Sequence, residues 1–222
     1  MTRAEELAAN LLAVRARLVA TGRDVVLVAI SKTWPVSDVA VLRDLGVHDF
    51  GENRDADARA KAAEVTDVRW HFVGAVQTNK AGSVASYADV VHSVDRLRLA
   101  KALGAGAVRA GRTVEALVQV SLDGDPARGG ARVGDVPRLA DAVALTAGLH
   151  LAGVMAVAPL GQDPAAAFAR LAGLATALRA DHPQATVVSA GMSGDLEAAV
   201  AAGATHVRVG TALFGHRAPL LR

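Results

Sequence analysis

Short apolar runs alternate with alanine-rich stretches of helical period along the chain. The apolar runs are rich in valine, which favours strands, whereas the stretches between them repeat their apolar positions every three to four residues. The eight predicted strands are Val25–Ser31, Asp49–Asn53, Trp70–Ala75, Val90–Val94, Val114–Leu122, Leu151–Ala158, Thr186–Gly191 and His206–Thr211. The predicted helices are Val36–Leu45, Asp55–Val65, Lys80–Tyr87, Asp95–Val108, Val133–Ala147, Pro164–Ala180 and Asp195–Ala202, with an additional N-terminal helix, Arg3–Thr21.

The strands read as continuous apolar runs, as in Val25-Val-Leu-Val-Ala-Ile30, which is typical of strands covered by helices on both faces. Regular strand–helix alternation implies parallel pairing with right-handed crossovers. We therefore predict an α/β fold, a single TIM-type (β/α)8 barrel domain over residues 1–222, with a doubly wound open sheet as the alternative.

One segment is long enough to suggest a membrane span. Residues 142–162 contain no Asp, Glu, Lys or Arg over 21 positions. Gly148, Pro159 and Gly161 interrupt this segment, which favours a helix, a turn and a buried strand. The first 19 residues also lack the apolar core of a secretory signal, because charged residues interrupt them. We expect no membrane association and a cytoplasmic protein.

Composition narrows the possible chemistry. The 24 basic and 22 acidic side chains give a net charge of only +2, and they are interleaved, so we expect no nucleic-acid partner. The chain has no cysteine, which excludes a thiolate nucleophile and cysteine metal sites and favours an intracellular location. The histidines, including His48, His150 and His216, show no metal-ligand spacing, so no metal site is predicted.

Polar residues follow the ends of the predicted strands, where a barrel of this type gathers its active groups. Lys32 is one of only four lysines among 24 basic residues, and it comes directly after the first apolar strand. A desolvated amine beside another cation, such as Arg208, would be the nucleophile that a Schiff base requires. Equally, Lys32 could be a structural residue that forms an ion pair with Glu52.

Two glycine-containing turns follow the last two strands. Ser189-Ala-Gly-Met-Ser-Gly194 precedes a predicted helix, and Gly210-Thr211 ends the final strand. Backbone N–H groups at such turns bind phosphate, and barrels commonly place a phosphate site at this position. The alternative is ordinary turn chemistry, with Ser193 or Asp195 capping the helix.

Two further polar residues lie within apolar strands. Arg208 stands between Val207 and Val209, so a buried guanidinium there needs either a carboxylate partner or a ligand. His71 alternates with Trp70 and Phe72, and a hydrogen-bonded core histidine is favoured over a catalytic base.

Seven motifs stand in order along the chain. They are Ala29-Ile-Ser-Lys-Thr33, Phe50-Gly-Glu-Asn53, Trp70-His-Phe-Val-Gly74, Gln77-Thr-Asn-Lys80, Gly153-Val-Met155, Ser189-Ala-Gly-Met-Ser193 and Val207-Arg-Val-Gly-Thr-Ala-Leu-Phe-Gly215. Together, over roughly Val25 to Arg217, they closely resemble the pyridoxal phosphate homeostasis protein family. The resemblance implies a (β/α)8 barrel similar to the N-terminal domain of alanine racemase, with pyridoxal 5′-phosphate (PLP) as the cofactor.

The resemblance also implies roles for particular residues. Lys32 would be the Schiff-base lysine, Ser193, Gly210 and Thr211 would bind the phosphate, and Arg208 would approach the pyridine nitrogen. The remaining residues implied to line the cofactor pocket are Asn53, His71, Met155, Ser189 and Met192. The chain departs from the family pattern at Arg54, Ala75 and Arg128, which we expect around the pocket mouth.

The resemblance implies a non-enzymatic protein that holds PLP reversibly and passes it to PLP-dependent apoenzymes as transient partners; we expect a monomer. The alternative is a PLP-dependent amino-acid racemase, which needs a second acid/base group. The only tyrosine, Tyr87, is placed in a helix region, so that group is not evident. A cofactor-free Schiff-base aldolase acting on a sugar phosphate is a third possibility.

Overall fold

The computed structural model describes residues 1–125 and 128–215. Eight parallel strands form a closed barrel in chain order, in which the last strand pairs with the first. The strands are β1 Val26–Ile30, β2 Asp49–Glu52, β3 Arg69–Phe72, β4 Val90–Val94, β5 Val114–Gln119, β6 Leu149–Met155, β7 Val187–Ser189 and β8 His206–Val209. The TIM-type barrel is confirmed, and the pairing of β1 with β8 excludes the open sheet.

Helices follow the strands and cover the outside of the barrel. They are α1 Arg3–Ala20, α2 Val36–Asp44, α3 Asp55–Glu64, α4 Ala81–Ala85, α5 Leu97–Arg109, α6 Val136–Ala144, α7 Pro164–Asp181, α8 Leu196–Ala201 and α9 Thr211–Phe214. Single 3₁₀ turns, Thr78–Lys80 and Val133–Asp135, lead into α4 and α6. The N-terminal helix is confirmed, and a capping box between Thr2 and Glu5 begins it.

The predicted strands extend too far at their carboxyl ends. Predicted strands reached Ala75, Leu122 and Ala158, whereas the observed strands end at Phe72, Gln119 and Met155. Thr211, predicted as the last residue of a strand, begins the short helix α9 instead. Apolar residues beyond the strand ends, such as Val120, Leu122 and Ala158, are buried as well, so apolar composition alone could not mark the strand ends.

Most of the core lies between the strands and the helices. A large cluster covers β4 to β7 and their helices, and a second one joins α1 to β1, β2 and β8. In α1 the stripe Leu7, Leu11, Val14 and Leu18 is buried, as the spacing of an amphipathic helix requires.

The interior of the barrel is divided between apolar and polar side chains. Val90, Leu117, Ala152 and Met155 form a small apolar cluster in one part of it. The buried polar residues of the strands include His71, His92, Ser189 and Arg208. Buried polar groups require hydrogen-bond partners, so these side chains are expected to bond to one another or to the backbone.

The described residues contain neither a membrane-spanning helix nor a cluster of metal-ligating side chains. No helix there is sufficiently long and apolar to cross a membrane, and the charge-free segment forms the end of α6, a turn and β6 as expected. No group of three or more potential metal-ligating side chains occurs in the same part of the chain. His216 and Arg217 lie outside the described residues.

Candidate functional site

A cleft of about 570 Å³ opens at the carboxyl-terminal ends of the strands. Its volume lies in the range of small-molecule sites, and its place is the one that barrels of this type use for function. The lining residues come from the ends of β1, β2, β3, β6, β7 and β8 and include Trp34, Val73, Gly74, Val157, Gly194 and Gly215.

Eight of the ten residues predicted as the cofactor site line this one cleft: Lys32, Asn53, Met155, Met192, Ser193, Arg208, Gly210 and Thr211. The other two are placed differently from that expectation. His71 and Ser189 are buried in the barrel and do not line the cleft. Ser189 nevertheless contacts Arg208 directly, so it reaches the site through that side chain.

Lys32 follows β1 by two residues and is exposed. The structure therefore does not place the amine in the desolvated surroundings that the sequence suggested. Among the described residues, Lys32 forms no hydrogen bond and no ion pair, and the considered pair with Glu52 is absent because Glu52 pairs with Lys61. A primary amine that is free of partners at a cleft is available to a ligand.

Ser31, the residue before Lys32, is held by two hydrogen bonds with buried side chains. The Ser31 hydroxyl donates to Glu52 Oε1 at 2.7 Å, and Lys61 Nζ donates to the Ser31 carbonyl at 2.8 Å. All three groups are buried. Thr33, on the other side of Lys32, has a φ of 71°, a strained conformation for a β-branched residue. Lys32 is thus presented by a fixed, tight turn.

Sequence reasoning missed Lys61 as a partner of this turn. A signal was present, because Lys61 stands three residues after Ala58, which places both side chains on the inward face of α3. A lysine on the buried face of a helix requires an acceptor, and Glu52 supplies it.

The turns after β7 and β8 are joined to each other. The Ser193 hydroxyl accepts a hydrogen bond from the Ala212 N–H at 3.2 Å. In the described part of the chain, the backbone N–H groups of Ser193, Gly194, Gly210 and Thr211 donate to no acceptor. Such a group of free amides at two adjacent turns fits an anion.

Neither Ser193 nor Asp195 caps α8, the helix that follows this turn. Asp195 occupies the N-cap position of α8 but makes no capping hydrogen bond, and its Oδ1 accepts from the Met192 N–H at 2.6 Å instead. Ser193 bonds to the start of α9, as described above. Both side chains therefore shape the turns at the cleft.

Arg208 projects from β8 into the wall of the cleft and is only 5% exposed. Its Nη1 donates to Ser189 Oγ at 2.7 Å and its Nη2 to the Ala156 carbonyl at 2.9 Å. Neither acceptor is charged, so the carboxylate partner considered from sequence is not used. Burial lowers the pKa of Arg208 to about 10, which leaves the guanidinium cationic at neutral pH.

His71 is a hydrogen-bonded interior residue, the reading that the sequence favoured. Its Nδ1 and the Nε2 of His92 are 2.8 Å apart, and its Nε2 lies 2.8 Å from Asp49 Oδ1. Sequence reasoning did not single out His92 or Asp49. The only signal was that His92 interrupts the apolar strand Val90–Val94.

The three departures from the family pattern do not line the cleft. Arg54 and Ala75 each follow a lining residue, and both are exposed. Arg128 donates to Asp123 at 3.0 Å and to the Ala158 carbonyl at 2.7 Å, which ties the loop after β5 to the segment after β6.

Comparisons with known proteins agree with this arrangement. Residues 3–218 match the family described as alanine racemase, N-terminal domain. A pyridoxal phosphate homeostasis protein of Corynebacterium glutamicum is 44% identical over 198 residues, which cover 86% of this chain and 90% of that protein. The Escherichia coli protein of the same name is 37% identical over 202 residues, covering 87% and 86%.

Solved structures extend the comparison. PipY of Synechococcus elongatus with PLP bound has a TM-score of 0.85 at 36% identity, covering 94% of this chain and 100% of that chain. An alanine racemase of Clostridium difficile has a TM-score of 0.80 at 14% identity, covering 96% of this chain and 60% of the racemase, which shows a shared fold alone. With its barrel, its cleft and these relatives, the chain belongs to the pyridoxal phosphate homeostasis protein family.

Proposed function

We propose that this chain binds PLP reversibly in the cleft and serves as a carrier and buffer of the cofactor rather than as an enzyme. One observation carries the proposal: the partner-free amine of Lys32 and the free amides of the β7 and β8 turns line the same cleft. An amine and an anion site in one cleft match the aldehyde and the phosphate of PLP. The PLP-bound structure of PipY supports the assignment.

In this proposal Lys32 forms the covalent bond to the cofactor. PLP supplies an aldehyde that condenses with a primary amine and a pyridine ring that withdraws electrons. The Lys32 amine would add to the aldehyde carbon with loss of water, so PLP would be held by a C=N bond that water can hydrolyse again. The exposure of Lys32 keeps that bond accessible to water, which suits reversible storage.

The phosphate would be held by the turns after β7 and β8. Ser193, Gly194, Gly210 and Thr211 offer backbone N–H groups, and the hydrogen bond between Ser193 and Ala212 fixes the two turns relative to each other. Donors held in advance in this way bind an anion without paying to order the loop. We therefore expect the phosphate to contribute much of the affinity.

Arg208 supports a carrier over an enzyme. A guanidinium that remains cationic and donates toward a pyridine nitrogen disfavours protonation of that nitrogen. The ring then withdraws electrons weakly, so carbanion chemistry at a bound amino acid is poorly supported. We propose that Arg208 orients the ring while limiting its reactivity.

Tyr87 does not supply the second base that a racemase needs. Its hydroxyl donates to Asp55 Oδ1 at 3.3 Å, and the residue is not among those lining the cleft. Burial, followed by the negative charge of Asp55, raises the pKa of Tyr87 far above its usual value. A tyrosine in that state does not exchange protons at the cleft near neutral pH.

The test begins with the purified protein incubated with PLP and freed of unbound cofactor. We expect a visible absorbance band and, after borohydride reduction, a pyridoxyl group on Lys32 identified by peptide mass spectrometry. Lys32→Ala should lose the reducible attachment, whereas Lys101→Ala, which removes an exposed lysine on α5, should retain it. Equal labelling of Lys32→Ala and the unchanged protein would contradict the proposal. A cofactor-free aldolase would show no band.

Two further assays separate carrier from enzyme. The PLP-loaded protein should restore activity to a PLP-dependent apoenzyme when the two are mixed. Incubation with single-enantiomer amino acids should give at most spectral changes, without loss of optical activity. Repeated turnover at a rate of order 1 s⁻¹ or more would identify an ordinary enzyme and overturn the carrier assignment.

A further inference from the structure

A line of hydrogen-bonded side chains crosses the interior of the barrel and ends at Arg208. Asp49 Oδ1 lies 2.8 Å from His71 Nε2, and His71 Nδ1 lies 2.8 Å from His92 Nε2. His92 Nδ1 lies 3.0 Å from Ser189 Oγ, which accepts from Arg208 Nη1 at 2.7 Å. We refer to these five residues as the interior chain.

The interior chain joins the two ends of the barrel. Asp49 is the first residue of β2 and its side chain is 20% exposed, whereas Arg208 lines the cleft at the opposite end of the strands. Between them His71, His92 and Ser189 are at most 1% exposed. Polar groups in such an interior are costly unless each has a partner, and here each has one.

When both imidazoles are neutral, the chemistry of the two ends fixes the direction of every proton between them. Arg208 can only donate, and an ionised Asp49 can only accept. His71 therefore carries its proton on Nε2 and accepts at Nδ1 from His92 Nε2–H. His92 then accepts at Nδ1 from the Ser189 hydroxyl, which leaves the Ser189 oxygen as the acceptor for Arg208.

The charged and titratable neighbours support this arrangement. Burial, with the charge of Arg208 acting in the same direction, holds the pKa of His92 well below its usual value, so His92 is neutral. Burial alone would raise the pKa of Asp49, but its hydrogen bond to His71, helped by Arg69, lowers it on balance.

His206 is the other histidine that faces this region. Its ring centroid lies 6.3 Å from that of His71, and its Nδ1 bonds to the Thr205 hydroxyl, outside the interior chain. Burial lowers the pKa of His206 to about 4, so it adds no charge beside His71 at neutral pH. Asp195 is the acidic group whose charge acts on Arg208.

We propose that Asp49, His71 and His92 are positioning residues that hold the Ser189 hydroxyl, and through it Arg208, in the geometry that receives the pyridine ring of PLP. The proposal rests on the proposed function. Nη1 is committed to Ser189 and Nη2 to the Ala156 carbonyl, so the guanidinium plane is fixed from below. The electronic state of the ring then depends on an acceptor at the far end of the barrel.

The sharpest test changes Asp49, which touches neither the cleft nor Arg208. In Asp49→Leu, His71 loses the acceptor for Nε2–H, so both imidazoles can turn their protons toward Ser189 and reverse its hydroxyl. We expect PLP to bind about tenfold more weakly, as for an unsatisfied buried group, with a shifted visible band. Asp49→Asn keeps an oxygen acceptor and should therefore retain the PLP affinity and the visible band of the unchanged protein. His206→Asn should also leave both unchanged.

Nitrogen-15 NMR of the histidine rings gives a readout that needs no cofactor. In the unchanged protein we expect both His71 and His92 to carry the ring proton on Nε2, and in Asp49→Leu we expect both to carry it on Nδ1. A different tautomer in the unchanged protein would refute the interior chain even if no Asp49 variant folded. A normal PLP affinity and spectrum in folded Asp49→Leu would refute the positioning role. Failure of the unchanged protein to take up PLP would refute the proposed function. The tautomers seen by NMR would still test the hydrogen-bond directions of the interior chain.

Discussion

Acidification should destabilise this protein before its carboxylates begin to titrate, because buried histidines must become charged. Burial lowers the pKa of His206 from 6.5 to about 4. The unfolded chain therefore takes up a proton at this site at a higher pH than the folded chain does. The stabilising contribution is present above pH 6.5 and is lost as the pH falls from there toward 4.

The magnitude follows from that difference. A tenfold change in proton affinity corresponds to about 1.4 kcal/mol, so His206 can cost at most about 3 kcal/mol once the pH is below both values. Between about pH 7 and about pH 5, the same relation gives a loss of about 2 kcal/mol from His206. His92, whose pKa burial lowers well below its usual value, adds a loss of the same sign.

The carboxylates whose pKa the fold lowers affect stability only at a lower pH than the histidines do. Hydrogen bonds outweigh burial and lower the pKa of Asp49, Asp123 and Glu197 below ordinary values of 3.8 and 4.5. Their contributions are present above those values and are lost only as the pH falls through the still lower folded values. Loss of stability between about pH 7 and about pH 5 therefore reports on the histidines.

The assay is urea-induced unfolding at several pH values in this range, with the free energy of unfolding taken from each transition. His206→Asn keeps a polar group beside the Thr205 hydroxyl but cannot take up a proton, so its loss of stability over the range should be smaller by about 2 kcal/mol. His150→Asn removes an exposed histidine of β6 and is the matched control. Equal pH dependence in His206→Asn and the unchanged protein would refute the reasoning.

Four further single substitutions and one double variant test the backbone and the turn that presents Lys32. Gly153→Ala should lower the free energy of unfolding by about 3 kcal/mol or more, because a Cβ there would lie 1.9 Å from a backbone oxygen of β7. Gly173→Ala in α7 should instead raise the free energy of unfolding by about 0.5–1 kcal/mol, because a Cβ there meets no atom within 4 Å. Lys61→Met should destabilise by about 3–5 kcal/mol, because it leaves the buried Glu52 carboxylate unpaired, and adding Glu52→Gln should recover part of the loss. Thr33→Gly should stabilise by about 1 kcal/mol, because its φ of 71° favours glycine. Urea unfolding measures the change in stability of every variant, and a change of the opposite sign in any one contradicts its argument.

The interior chain shows where sequence reasoning stopped. Its members come from β2, β3, β4, β7 and β8, and no spacing along the chain relates Asp49 to Ser189. Only closure of the barrel brings them into contact. The family resemblance implied that Ser189 and His71 line the pocket, whereas the alternation of Trp70, His71 and Phe72 already favoured a core histidine; the structure places both residues in the layer beneath the cleft.

The sequence by itself determined the order of strands and helices, the barrel and the residues that meet at its carboxyl end. Apolar runs at regular spacing specify parallel strands covered by helices, and a parallel barrel places the residue after each strand at one rim. Only the tertiary structure decided that Lys61, not Lys32, pairs with Glu52, and that Arg208 is held by uncharged acceptors. The partner of a buried charge depends on which side chains the closed barrel brings within hydrogen-bonding distance, and that is a property of three-dimensional packing.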